Sequence, residues 1–588
     1  MSVIPRPEHP RPQFMRESWC SLNGEWEFYR DFGASGKDRR IFESASFDER
    51  ISVPFCPESR LSGIEYKDFM PSVWYARNIT VSEKELAGRV ILHFGACDYE
   101  TTVYVNSAEV GKHIGGYASF EFDITDFLKL GENRIVVNAF DDVRSRRQPR
   151  GKQSSKFYSV GCDYTRTTGI WQSVWLEFVS DKYVKKIDVN ATDLNGSVTL
   201  GVELNEYVSD AVLKVLVSYK QKTVLEESFS LSGIVSTVSF KIADPKLWNP
   251  DSPELYETKF VLEAGGKPVD EVSSYFGIRR VDIDGKRVLI NGRSVFQRLI
   301  LDQGFYPDGI YTAPTDAALA RDIELSMELG FNGARLHQKV FEERFLYHAD
   351  RLGYLVWGEY PDWGVDPSDP EVLHIMLPEW LECVARDRNH PAIIGWCPHN
   401  ETSPHFDRVQ MDTNVSAVYD ATKAVDPTRP VIDTSGYVHT DRTDIYDIHE
   451  YSQSPEYFRE LVKKHREGIY FANPHKNNRT YDGKKPFFVS EYGGIKWYPE
   501  SQEAMNDRKL SWGYGNAPKT PEEFRDRYVG LTEAIISCEE MMGFCYTQLT
   551  DIEQEQNGLY YYDRSRKFSD DIYDAVREVN TRKAAIED

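Results

Sequence analysis

Two glutamates stand where apolar runs give way to polar residues. Glu401 ends the stretch Ile-Ile-Gly-Trp-Cys-Pro-His-Asn-Glu, and Glu491 ends Pro-Phe-Phe-Val-Ser-Glu. Two carboxyl groups that face each other can break a glycosidic bond. In a retaining reaction one protonates the leaving oxygen while the other attacks the anomeric carbon, and about 5 to 5.5 Å separates them; inverting pairs stand wider apart. A linear sequence does not measure that gap. A single glutamate in such a place is ordinarily a solvated loop residue, so it is the pair that carries weight, together with Asn400, which can donate to a hydroxyl beside the reacting carbon. Metal chemistry has a weaker footing, because His390, Cys397, His399 and Glu401 crowd one stretch at a spacing that fits no zinc pattern. Neither a phosphate-cradling glycine loop nor a Gly-x-Ser-x-Gly elbow follows a suitable strand, so no cofactor and no metal is expected.

Such a pair needs a rigid frame. From about residue 278 the chain reads as strands alternating with amphipathic helices, the pattern of a parallel sheet. Thr315 is placed to cap a helix in which Leu319, Ile323 and Met327 recur at helical spacing, and Gly330 stops it before an apolar strand at 331–336. Further strands are expected at 354–357, 392–396, 431–433, 445–449, 487–489 and 543–547, with an opening one at 295–301. Eight strands over about 300 residues predict a (β/α)8 TIM barrel, whose reacting groups sit at the C-terminal ends of strands. Glu401 and Glu491 then follow the fourth and seventh strands. Asp302, Arg335, His337, Glu359, Trp363, Tyr451 and Tyr546 lie at other strand ends as candidates for lining the pocket, and His449 reads equally as core or as a ligand contact.

Ahead of the barrel the chain is all β, with short β-branched and aromatic runs between Gly, Asn and Asp turns. Residues 1–181 read as a jelly-roll-like β-sandwich, 182–277 as an immunoglobulin-like β-sandwich and 278–588 as the barrel. Aromatic residues are 13% of the chain, suited to stacking on sugar rings, although most serve sheet cores. The net charge of -23 argues against a nucleic-acid partner, since the basic runs, such as 144–150, are short. Eight scattered cysteines without a CxxC pair read as free thiols of a reducing compartment, and no run suits a signal peptide or a membrane span, so a cytoplasmic location is expected.

The details of the motifs resemble one family. Asn400-Glu401 after the fourth strand and Glu491-Tyr492-Gly493-Gly494 after the seventh resemble glycoside hydrolase family 2, which includes β-galactosidases, β-glucuronidases and β-mannosidases. Leu22-Asn23-Gly24-Glu25-Trp26, Val53-Pro54-Phe55, Trp74-Tyr75, the Gly-Gly-Tyr ending at Tyr117 and Thr168-Gly169-Ile170-Trp171-Gln172 resemble its N-terminal sugar-binding-type sandwich. Leu247-Trp248 with Pro253 and Leu255-Tyr256 resembles the end of its middle sandwich, and Phe276-Gly277-Ile278-Arg279 the approach to its barrel. The resemblance implies a retaining, exo-acting glycosidase with Glu401 as acid/base, Glu491 as nucleophile, Asn400 on a sugar hydroxyl, and Arg335 and Tyr451 donating to the nucleophile. It also implies that Glu401 stays protonated while Glu491 is ionised, and that Glu401 is therefore less solvated or nearer negative charge. Family members often form homo-oligomers.

The resemblance also frames the sugar. Glucuronidases of the family read the substrate carboxylate with Asn-x-Lys after the eighth strand, whereas residues 553–559 here, Glu-Gln-Glu-Gln-Asn-Gly-Leu, offer no cation; Asn516 and Lys519 have the wrong spacing and precede that strand. The reading is β-galactosidase-like, although residues 301–309 lack the His-rich segment of well-known β-galactosidases. Tyr546, near a position where the family often has a Trp on the pocket floor, implies a smaller platform and admits a furanosidase or pentosidase, such as an α-L-arabinofuranosidase or β-galactofuranosidase. An inactive carbohydrate-binding protein and a sugar-transferring enzyme are the remaining alternatives.

Overall fold

The computed structural model describes residues 4–402, 410–471, 478–498 and 511–587. The first sandwich packs a four-stranded sheet, Trp19–Ser21, Val174–Val179, Arg89–Phe94 and Phe120–Asp123, against a six-stranded one whose centre is Ser72–Val81 beside Gly131–Phe140. Alternation puts Trp26, Phe28, Tyr75 and Val137 between the sheets. The second sandwich has three- and four-stranded sheets, with Val198, Leu200, Val202 and Leu204 of one strand all turned inward. Its core holds no cysteine, and all eight thiols of the chain are free.

Seven parallel strands then curl into one sheet, in the order Ile393–Cys397, Leu355–Glu359, Gly333–Leu336, Gln297–Asp302, Met541–Thr547, Phe487–Gly493 and Tyr446–Glu450. The first strand pairs with both the second and the last, so the start and finish of the barrel lie side by side, and the edges of the sheet are the fourth and sixth strands. The fifth place differs from expectation. Instead of a full strand at 431–433, the segment touches the fourth strand through isolated bridges at Trp396–Val431 and Asn400–Ser435. Its polar side chains are engaged elsewhere: Asp433 with His439, Thr434 with Thr402, and Ser435 with Asp447. The helix at Asp316–Glu328 is capped by Thr315, whose side chain accepts from Ala318 N, and Gly330 ends it at φ 80.

The first sandwich and the barrel share a core, in which Tyr117, Tyr164 and Trp171 pack with Phe305 and Tyr311. Each fully buried aromatic of this kind contributes about 1.5–3 kcal/mol. A loop of the sandwich continues this contact over the barrel mouth. Arg150 N donates to Trp363 O at 2.7 Å and Gly151 N to Pro361 O at 3.2 Å. Gly151 has φ 54, and a Cβ there would stand 2.2 Å from Gln338 O, so the close approach requires glycine. Gln554 on the barrel returns bonds to Gly161 O and Asp163 O. Among the described residues, no helix is long and apolar enough to cross a membrane.

Candidate active site

Side chains of alternate strand residues point into the barrel, and this decides which strand ends can reach one another. On the first strand Gln297 faces in, accepting from Trp357 Nε1 at 2.6 Å. On the second, Arg335 and His337 face in; on the third, Glu359 does; on the sixth, His449, followed by Tyr451. Glu491 is brought in by a register shift late in the seventh strand, between Val489 and Tyr492. A bulge of this kind re-aims one side chain without disturbing the strand below it. Glu401 sits just beyond the fourth strand at φ 55, a left-handed conformation that costs a non-glycine residue about 1 kcal/mol or more. The hydrogen bond from its N to Ser435 O, 2.8 Å, helps to hold it.

A carboxylate oxygen of Glu401, a ring nitrogen of His449 and a carboxylate oxygen of Glu491 lie within 4.8 Å of one another. Such a group has the reach to grip a cation, but here its atoms face one another through one hydrogen bond and one ion pair. His449 Nδ1 is 2.8 Å from Glu401 Oε1, and its Nε2 is 3.4 Å from Glu491 Oε1. Arg335 Nη1 donates to the same Glu491 oxygen at 3.1 Å and Tyr451 Oη to Oε2 at 2.5 Å. Arg335 also pairs with Glu359 at 2.5 Å and donates to Asn400 Oδ1 at 3.2 Å. Asn400 Nδ2 is buried without a hydrogen-bond partner among the described residues, and Asp362 fixes its backbone by accepting from Asn400 N at 3.1 Å. The residues around the fourth strand that raised a metal question do not converge on one point: His390 bonds Asp350, His399 faces Asp362, and Cys397 donates to His399 O.

The electrostatics reverse one expectation. Glu401 is the more exposed of the two glutamates, its side chain 16% accessible against 4% for Glu491. Burial by itself would raise the pKa of Glu401, but the hydrogen bond and charge of His449, followed by the charge of Lys152, outweigh it and lower the value to about 2. Burial opposes charge on His449, yet Glu491 and then Glu401 raise its pKa. Both shifts act in one sense, favouring Glu401 as a carboxylate beside a charged ring. His337, 3.0 Å from Glu359, is driven well below its ordinary pKa by burial and stays neutral.

Two of the strand-end candidates face away. Asp302 accepts from Gly304 N at 2.9 Å, and burial, then Asp322, raises its pKa to about 7; it belongs to a cluster with Asp322, Arg564 and Lys339 behind the sheet. Tyr546 packs on Tyr528 of the flanking helix and on Tyr492, while its neighbour Thr547 meets Tyr451 at 3.0 Å. The placing of these two residues in the pocket is thus corrected by the phase of their strands. Trp363 is at the mouth, with Nε1 3.2 Å from Asn400 O.

Sequence reasoning missed what the first sandwich brings. Lys152 is 6% accessible, and its Nζ lies 3.7 Å from the centre of the Trp363 ring. Burial opposes its charge, but Cys162, Glu555, Glu401 and Glu491 raise its pKa. Tyr164, from the same loop, donates to Glu555. Tyr514, stacked on Tyr451 at 3.4 Å, was missed as well. The one trace of the loop in the sequence was the short basic run at 144–150 beside it.

Residues 19–179 match the sugar binding domain of glycosyl hydrolases family 2, 172–279 the family's middle domain and 282–497 its TIM barrel domain. The chain belongs to glycosyl hydrolases family 2. It is similar to a putative β-glucuronidase of Formosa agariphila, 27% identical over 443 residues that cover 72% of this chain and 50% of that protein. It is also similar to a β-galactosidase of Thermoanaerobacter pseudethanolicus, 27% identical over 432 residues, 70% of this chain and 56% of that one. The chain thus spans about half the length of these curated relatives. A solved β-glucuronidase of Ruminococcus gnavus in complex with D-glucuronic acid has the same fold, with a TM-score of 0.79 at 19% identity, over 98% of this chain and 100% of that one.

Proposed function

We propose that the chain is an exo-acting retaining glycosidase that removes terminal sugars by double displacement, with Glu491 as nucleophile and Glu401 as acid/base. The observation that carries this is the approach of the two carboxylates to within 4.8 Å, short of the roughly 6.5–9.5 Å that an inverting pair needs for its water. Arg335 and Tyr451 point donors at Glu491, which suits a group that must attack as an anion and later depart as one. The free Nδ2 of Asn400 suits a sugar hydroxyl next to the reacting carbon. A cytoplasmic location, suggested by the eight free thiols, forms part of the same proposal.

For the sugar, the β-galactosidase-like reading from the sequence stands beside a second that Lys152 favours. The case against uronides assumed that no cation reaches the pocket. The Lys152 ammonium has the Trp363 ring beneath it but makes no hydrogen bond or ion pair among the described residues, and a buried ammonium without a counter-charge in contact is costly, so a substrate carboxylate is a fitting counterpart. The names of the relatives divide in the same way, between glucuronidase and galactosidase. The furanose and pentose alternatives depended on Tyr546 at the pocket floor and lose that basis.

Nitrophenyl donors paired to differ only at C6, galactoside with galacturonide and glucoside with glucuronide, test both readings, with NMR of the first-formed product for its anomeric configuration. Retention is expected, and inversion would sink the double displacement. If uronides are the substrates, Lys152→Met is expected to lower their kcat/KM by about 100-fold while leaving neutral donors nearly unchanged. An equal loss on both members of a pair would reduce Lys152 to a structural part. No turnover of any donor would favour a binding protein. Tyr451→Phe removes one of two donors on Glu491 and is expected to slow turnover by roughly 100-fold, checked in the same assay.

A further inference from the structure

The acid of a retaining reaction must deliver a proton, and the resting site keeps that proton off Glu401. The group facing Glu401 is His449, and its ring is held in one orientation. Gly436 lies against it, where a Cβ would stand 2.5 Å from three ring atoms, and Tyr437 tilts over it at 5.9 Å. Ser435 Oγ donates to Asp447 Oδ2 at 2.6 Å, which leaves that oxygen to accept from His449 Nε2 at 3.0 Å. Nδ1 in turn faces a carboxylate at 2.8 Å. Both ring nitrogens then donate, which describes an imidazolium. Charges surround the ring from several walls: Glu401 beyond the fourth strand, Glu491 on the seventh, Glu359 on the third and Asp447 on its own, against Arg335 on the second.

We propose that His449 is the resting store of the proton that Glu401 delivers. As the glycosidic bond breaks, the Nδ1 proton passes to Glu401 and a proton passes from Glu401 to the leaving oxygen, while a Glu491 oxygen bonds the anomeric carbon. His449 ends neutral, Glu401 ends ionised and Glu491 ends as an uncharged ester. The ring thus gives up its charge in the same half-reaction in which one of the two carboxylates facing it loses its own. In the second half, water bonds the anomeric carbon, its proton goes to Glu401 and a proton moves on to Nδ1, and Glu491 departs as a carboxylate. His449 acts through Glu401 and is a positioning residue with a proton to lend. The inference rests on Glu401 and Glu491 being the catalytic pair.

His449→Asn keeps a donor near Glu401 but cannot hold the proton. With β-galactosides or β-glucuronides, whichever the wild type cleaves, the variant is expected to lose about 100-fold in kcat/KM on phenyl donors, whose leaving group needs an acid. On dinitrophenyl donors, which leave unaided, it is expected to stay within a few-fold of the wild type. The alkaline limb of the phenyl-donor profile should move to lower pH, because Glu401 alone must then hold the proton that the raised pKa of His449 held before. Equal losses on both donors with an unmoved alkaline limb would overturn the proposal. A second measurement needs no variant: histidine nitrogen NMR should report His449 charged in the free enzyme and neutral once a fluorosugar has esterified Glu491, and a ring charged in both would overturn it. Retained turnover in Glu491→Gln would instead remove the catalytic pair, and the proton store with it.

Discussion

Glu491→Gln is expected to lower kcat/KM, for any donor the wild type cleaves, by at least about 10⁴-fold. The amide preserves the size of the side chain but cannot form the ester on which double displacement depends. Removing a covalent nucleophile from its assembled partners has effects of this order or more, and a 10⁴-fold loss corresponds to about 5 kcal/mol of transition-state stabilisation. Initial rates measure the loss. The mass of intact protein after exposure to a fluorosugar donor locates it: the wild type should gain one sugar and the variant none. A variant within tenfold of the wild type would show that Glu491 is not the attacking group.

Arg335→Met is expected to have the second largest effect, on stability as well as on rate. The guanidinium is almost wholly buried and pairs with Glu359 at 2.5 Å and Glu491 at 3.1 Å, while donating to Asn400 and to Ser490 O. Removing it leaves Glu359 buried without its cation and strips Glu491 of one of two, and breaking a buried pair in this way costs about 3–5 kcal/mol. Denaturant unfolding should show that loss, with turnover falling in parallel. Adding Glu359→Gln removes one of the stranded charges and should recover part of the stability without restoring activity. If the double variant were no more stable than the single one, the loss would be one of packing and not of charge.

Much of the frame was legible in the chain. Capping by Thr315, the stop at Gly330 and apolar runs of strand length placed the barrel, and counting them placed Glu401 and Glu491 at its mouth. The misplacements have a common cause. Asp302 and Tyr546 were chosen for standing at strand ends, without asking which way period-two alternation turned them; Thr547 and Gln297, one phase over or in phase, are the residues that face inward. Glu491 reaches the interior through a register shift that no alternation rule foresees. The depressed pKa of Glu401 depends on His449, nearly fifty positions away, which approaches it only once the fourth and sixth strands flank the fifth place of the barrel. Lys152 was invisible for a stronger reason. It lies in a loop of another domain, where nothing in local pattern relates it to a strand of the barrel.

The loop that carries Lys152 and Tyr164 divides authorship of the site between two parts of the chain. On the proposed reading, the barrel supplies the carboxylate pair, whose distances tolerate little change, while the sandwich contributes Lys152 above it. Substrate preference can therefore drift through substitutions in a surface loop, at little cost to the barrel's own packing. The same division ties the first sandwich to the barrel mouth: a barrel produced alone would bare the face now covered by Tyr117, Tyr164 and Trp171, and leave Glu401 and Glu491 beneath an unroofed mouth.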